Sequence, residues 1–368
     1  MNVLKLVKFI PALMKVFLWS MVALVAAGAV VASLLLLKPF AGSNSSNRPD
    51  KGSHDQVQAA KSGKQTYHLT VDGVEREFIV YRPSNVAKNA ATPVVFMFHG
   101  TNQSGEQFYK ISGWKEEADE QGITVVFPTA LKYHLIDDKE SPSGEVVTAS
   151  AQLYVTKWTH YKIDDMLDPA YPEQKVHDDV DFTQAMVDFV KDNYSVDVDR
   201  FYATGFSNGA QFTSRLAVEM SDTFAAFATG GTGNISYDDI QHMNDHTDTP
   251  FVPRPMITSV GSKDPKVLRS LGLAEIPNDD SLMADDSKLK LAVVNPFLKL
   301  EGLSDDYTYS SKGKVAGYTF NQTLAGGESA TEYNLLIVDE MGHLYANGKN
   351  DSVTYTNIFW PFFERYSL

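Results

Sequence analysis

Arg200–Ala217, RFYATGFSNGAQFTSRLA, changes character at its centre. Phe201–Phe206 is apolar and aromatic and predicts a buried strand; Ala210–Met220 carries helical spacing and predicts a helix. Between them Gly205-Phe206-Ser207-Asn208-Gly209 fits G-x-S-x-G, with the small Ala210 following. A sharp strand-to-helix turn forces its central serine into a strained backbone conformation, and small flanking residues let the chain pass. The helix N-terminus then aims amide donors and a partial positive charge at an anion forming beside that serine. Ser207 is therefore a candidate nucleophile, the alternative being an N-capping serine in a glycine turn.

A serine hydroxyl needs a base, and the partners in this architecture follow as acid and then histidine, each just after a strand. His343 lies three residues beyond NLLIVDE (Asn334–Glu340), and the other eight histidines fit less well. His99 ends the apolar run PVVFMFHG (Pro93–Gly100) and reads as a residue that shapes the following loop. Asp264, just after PMITSVG (Pro255–Gly261) and before a proline, is the candidate acid; Asp339, on the histidine's own strand, is its rival. An oxyanion hole requires two backbone donors, expected at the N–H groups of Asn208 and Thr101.

Outward from these residues, buried strands alternate with helical patterns, as in ITVVFP (Ile123–Pro128) and DDVDFTQAMVDFVKDNY (Asp178–Tyr194). That alternation predicts an α/β fold, a mostly parallel central sheet with helices on both faces. Thr66–Asp72 and Glu75–Pro83 flank Gly73 as a hairpin and suggest an antiparallel edge, and Glu106–Gln121 has helical spacing. Leu131–Lys175 and Asp264–Thr331 interrupt the pattern, the second with a strand-like KVAGYTFNQTL (Lys314–Leu324). Three parts are expected: residues 1–40 as a basic end and membrane anchor, 41–65 as a flexible tether, and 66–368 as one catalytic domain.

Val16–Leu37 is an uncharged apolar run long enough to cross a bilayer, and Lys5, Lys8 and Lys15 precede it. Those charges predict a single-pass anchor with the body outside the cytoplasm. A cleaved signal leading to secretion is the alternative. The formal charge is −14, and residues 1–51 contribute six basic side chains against one acid, so the body is more acidic than the whole. An acidic body argues against nucleic acid as a partner. With no cysteine, disulfides, thiolate metal sites and cysteine nucleophiles are excluded. No metal or organic cofactor is expected.

The segments FHGTNQSGEQF (Phe98–Phe108), SGWKEEADEQGITVVFPTA (Ser112–Ala130), His177–Ala217 and EMGHLYANG (Glu340–Gly348) occur in an order that resembles the polyhydroxybutyrate depolymerase and feruloyl esterase group of α/β-hydrolases. The resemblance covers Val94–Gly233 and returns at Val260–Pro265 and Asp339–Gly348. It implies the α/β-hydrolase fold, with Ser207 as nucleophile, Asp264 as acid and His343 as base. It departs at Thr101, where members often carry cysteine, and in the histidine loop, which here continues as Tyr345, Ala346 and Asn347. The family's tryptophan-rich segment is echoed by TKWTHY (Thr156–Tyr161), so Trp158 either lines the substrate cleft or is buried for packing; Trp114 is expected in the core. The implied activity is hydrolysis of a carboxylic ester, polymeric or cell-wall derived, feruloyl or short-acyl. Acyl transfer or peptide hydrolysis on the same residues, or a non-catalytic surface-anchored binding module, are the alternatives.

Overall fold

The computed structural model describes residues 61–137, 151–160, 163–231, 250–323 and 329–368. The expected anchor Val16–Leu37 and most of the expected tether lie outside the described residues. Among those described, no helix is long and apolar enough to cross a membrane.

The strands are β1 (Gly63–Val71), β2 (Val74–Arg82), β3 (Thr92–Phe98), β4 (Thr124–Pro128), β5 (Lys132–Asp137), β6 (Ala151–Thr156), β7 (Val196–Phe206), β8 (Ala226–Gly230), β9 (Met256–Gly261), β10 (Thr308–Lys312), β11 (Val315–Thr323) and β12 (Ser329–Val338). The α-helices are α1 (Gly105–Ile111), α2 (Trp114–Gln121), α3 (Asp179–Asn193), α4 (Asn208–Glu219), α5 (Pro265–Leu271), α6 (Asn295–Glu301) and α7 (Thr356–Phe363).

Among the described residues ten strands form one mixed sheet in the order β1-β2-β4-β3-β7-β8-β9-β12-β11-β10. From β4 to β12 neighbouring strands run parallel. Antiparallel pairs close both edges, β1–β2–β4 on one side and β12–β11–β10 on the other. The first edge matches the expected hairpin, although β1 begins at Gly63, ahead of Thr66. β11 covers most of the strand-like KVAGYTFNQTL. β5 and β6 form a separate two-stranded sheet that interrupts the alternation, and Leu135 of β5 also bridges Leu167.

β3 shows why the central strands lack a polar alternation. Val94, Phe96 and Phe98 enter one core with Phe182 and Met186 of α3, Phe212 and Leu216 of α4, and Phe297 of α6. Val95 and Met97 point the other way, into a second core with Phe108 of α1, Trp114 of α2 and Phe359 and Phe363 of α7. Side chains alternate across a strand, so a strand covered on both faces must be apolar at every position. Helix α3 follows from its sequence: Phe182, Met186 and Val190 recur every four residues, and the Asp178 carboxylate caps the Val180 N–H at 2.9 Å.

The helical pattern over Glu106–Gln121 is two helices, because Gly113 at φ +83° turns the chain between α1 and α2. Both halves bury an apolar residue in the same core, so the side-chain spacing carries through the break and hides it.

Candidate active site

Strand β7 delivers the chain to Phe206 at the carboxyl end of the sheet, and α4 leaves from Asn208. Ser207 sits between them at φ 54°, ψ −118°, a region non-glycine residues rarely occupy. The turn closes tightly. A Cβ at Gly205 would lie 2.2 Å from Gly209 O, and one at Gly209 would lie 2.3 Å from Phe98 O and 2.4 Å from His99 O. Those contacts are with backbone, which cannot swing aside as a side chain can. Gly209→Ala is therefore expected to destabilise the fold by about 1–3 kcal/mol, in the range of overpacking. Urea unfolding with the turnover of the folded fraction measured beside it checks this.

The expected acid and base converge on Ser207. His343 Nε2 lies 2.9 Å from Ser207 Oγ, and its Nδ1 lies 2.7 Å from Asp264 Oδ2. Asp264 is fully buried just after β9. It also caps α5, its Oδ1 accepting the N–H groups of Lys266 (2.9 Å) and Val267 (3.3 Å). With a carboxylate at Nδ1 the imidazole proton sits there, and Nε2 is left to accept from the serine hydroxyl. Such a chain can draw a proton from Ser207. The rival Asp339 is engaged elsewhere, with its N–H on Lys314 O at 2.7 Å and its carboxylate near Ser262 Oγ at 3.4 Å.

The loop after β3 comes alongside. In Gly100–Gln103 the amide of Gly100 donates to Gln103 Oε1, that of Asn102 to Thr156 O and that of Gln103 to Gly100 O. The Thr101 N–H has no acceptor among the described residues, nor does the Asn208 N–H at the start of α4. Thr101, Asn208, Ser207 and His343 all border one cleft of about 290 Å³, whose other walls include Lys157, His160, Met166, Gln211 and Lys266.

His99 carries this loop. It is fully buried, its Nδ1–H donating to Gly100 O (2.7 Å) while its Nε2 accepts the Ala130 N–H (3.0 Å). Only the neutral ring serves both bonds, and burial pulls its pKa down from 6.5 to about 4. The unfolded chain therefore binds one more proton than the folded chain between about pH 6.5 and pH 4. The stability from a neutral His99 is complete above pH 6.5 and is lost as pH falls towards 4, at most about 3 kcal/mol. Denaturant unfolding of wild type and His99→Gln across that window checks it. The wild-type curve is expected to fall more steeply with acid.

The cleft-lining alternative for Trp158 fails: the residue is fully buried and is not part of the cleft wall. Its indole N–H donates to His99 O at 2.8 Å, and its ring packs on Phe98 and Phe212. The packing alternative holds, and the cleft is bordered instead by Lys157 and His160 on either side of it. Trp114 is buried as expected, and it donates its indole N–H to Tyr345 Oη at 2.8 Å. Tyr345 thereby anchors the histidine loop on α2, a role that its place after His343 alone does not reveal.

The family model "Serine hydrolase (FSH1)" matches residues 89–283, more than half of the chain, a span that holds Ser207 and Asp264 and stops short of His343. A bifunctional acetylxylan esterase/xylanase from Neocallimastix patriciarum is 25% identical over 163 residues, 44% of this chain and 19% of that protein. The putative esterase NocK from Nocardia uniformis subsp. tsuyamanensis is 28% identical over 147 residues, 40% of this chain and 35% of that protein. The matched region thus spans between a fifth and about a third of those relatives. Among solved structures, an acetyl xylan esterase from Aspergillus awamori superposes with a TM-score of 0.52 at 14% identity, covering 81% of this chain and 99% of that one. At that identity the likeness is one of fold, and it agrees with the α/β-hydrolase architecture expected from the sequence. The family match over more than half of its length makes the chain a member of the serine hydrolase (FSH1) family.

Proposed function

We propose that the protein is a serine carboxylic-ester hydrolase in which Ser207 is the nucleophile, His343 the base and Asp264 the acid. The observation that carries this reading is the continuous chain Asp264 Oδ2–His343–Ser207 Oγ, with its 2.7 and 2.9 Å steps, on a strained strand-to-helix turn. Ser207 Oγ attacks the ester carbonyl as its proton passes to His343 Nε2, and the tetrahedral oxyanion rests on the Asn208 and Thr101 amides. The imidazolium, steadied by Asp264, returns the proton to the departing alcohol. Water then attacks the acyl-enzyme with His343 as base, which frees the acid and restores Ser207.

The acyl group is short in this reading. A cleft of about 290 Å³ stands at the small end of ligand sites. Two of the proteins the chain is similar to are named for acetyl esters of xylan. An ester on a polysaccharide is accordingly the favoured substrate, ahead of a feruloyl ester or a polyhydroxyalkanoate. The apolar run Val16–Leu37 supports a body held outside the cytoplasm, where such polymers occur; protease accessibility on intact cells tests that placement.

A fluorophosphonate is expected to label the wild-type protein and to leave Ser207→Ala unlabelled; labelling that survives the substitution overturns the assignment. On p-nitrophenyl esters kcat/KM is expected to fall as the acyl chain lengthens beyond a few carbons. Activity that rises with length instead refutes the short-acyl reading while leaving the nucleophile in place.

A further inference from the structure

We infer that Thr156 and the carboxamide of Asn208 are positioning residues that set the distance between the two oxyanion donors. This rests on the reading of Ser207 as nucleophile with the Thr101 and Asn208 amides as its anion site.

Those two amides belong to elements with no covalent connection nearby: the loop after β3 and the first turn of α4. One short extended segment, Thr156–Trp158, joins them. Towards the loop, Thr156 O accepts the Asn102 N–H at 2.8 Å, and Thr156 Oγ1 donates to Gln103 O at 2.6 Å. The backbone of the loop is thereby held just beyond Thr101, where Asn102 takes a positive φ of 58°. Asparagine tolerates that left-handed region better than other side chains do, and the two Thr156 bonds fix the loop in it. Towards the helix, the Asn208 carboxamide reads the main chain of Trp158 at both groups. Its Oδ1 accepts the Trp158 N–H at 2.7 Å and its Nδ2 donates to Trp158 O at 3.3 Å. Asn208 is buried, so these bonds are made away from competing water.

The far end of the segment is tethered too. Thr159 N–H donates to Asp179 Oδ2 at 2.7 Å, and Arg215 Nη1 donates to Thr159 O at 2.7 Å. Asp179 in turn is paired with Arg76, and both are buried. The segment is thus fixed to α3 and to a later turn of α4 as well as to the two donor elements. It acts as a spacer rather than as a loop that follows either of them. Oxyanion donors act through prior alignment, so a shift between them lowers the rate without greatly altering how the neutral ester binds.

The test compares Thr156→Val, which keeps the shape and removes the hydroxyl, with Thr156→Ser, which keeps the hydroxyl. Asn208→Asp, which retains an acceptor for Trp158 N–H and loses the donor, serves as a second, independent variant. Turnover is expressed per active site by burst titration with an activated ester, so that any unfolded fraction drops out. Thr156→Val and Asn208→Asp are expected to lose roughly 10–100-fold in kcat with KM within about twofold, less than the ~10²–10³ of a lost donor. Affinity for an alkylboronic acid, whose tetrahedral adduct places an oxygen on the same amides, is expected to fall in parallel, and Thr156→Ser to restore both. A change confined to melting temperature, with kcat and boronate affinity kept, shows a structural segment only and overturns the inference. A rise in KM alone overturns it as well. Should Ser207→Ala remain active, the underlying reading fails instead, and that result is separate from these.

Discussion

Ser207→Ala is expected to reduce kcat by about 10⁴–10⁶-fold, and His343→Ala by a comparable factor, with the double variant little worse than either alone. The reason lies in the coupling. Ser207 Oγ and His343 Nε2 are 2.9 Å apart, so removal of either ends the same proton transfer. Once the serine is gone, the base has no hydroxyl to activate. Once the base is gone, the hydroxyl meets the ester fully protonated. Residual hydrolysis comes from the donors and the cleft alone, which the substitutions leave in place. Burst kinetics with an activated ester measures this directly: wild type shows an acyl-enzyme burst, and neither single variant does. Losses that multiply in the double variant, so that the two act independently, contradict the chain Asp264–His343–Ser207.

The elements that bring these residues together were legible because each leaves a local mark. The apolar run into GFSNG reads as a strand, and β7 ends at Phe206 where that run ends. PMITSVG and NLLIVDE likewise read as strands, and β9 and β12 end just before Asp264 and His343. Parallel strands share one carboxyl end, so residues that follow three such strands by a few positions converge without any further signal. The order of Asp264 and His343 along the chain is therefore legible without knowledge of the contact between them.

What the sequence hid are contacts made at a distance. His99 follows an apolar strand and suggests a shaped loop, yet its partner Ala130 is 31 residues away and nothing local points to it. Trp158 resembles an exposed aromatic of a binding cleft, but the carbonyl of His99 takes its indole N–H and the rings of Phe98 and Phe212 cover it. A tryptophan that stacks on a substrate and one that fills a core have the same composition around them; only the neighbours in space separate the two. The β5–β6 hairpin gave no clear pattern either. A two-stranded unit outside the main sheet lacks the continuous apolar runs that mark a strand buried on both faces.

Asp264→Asn and Asp264→Ala are expected to order oppositely for activity and stability. The Asp264 carboxylate serves two tasks, capping α5 through Oδ1 and meeting His343 Nδ1 through Oδ2. Asparagine can keep the first task, its carbonyl accepting the Lys266 and Val267 amides. Its NH₂ then faces His343 Nδ1, which must become the acceptor and move its proton to Nε2. A protonated Nε2 cannot take the proton of Ser207, and kcat is expected to fall by about 10⁴ with the fold nearly as stable as wild type. Alanine loses the cap, at about 1 kcal/mol, and removes a buried partner from His343. It leaves the imidazole free to adopt either tautomer, so its kcat is expected to equal or exceed that of the asparagine variant while its melting temperature is lower. Parallel measurement of kcat and thermal unfolding separates the two tasks. An Asp264→Asn protein that retains activity places the carboxylate in the helix cap alone and leaves His343 without its acid.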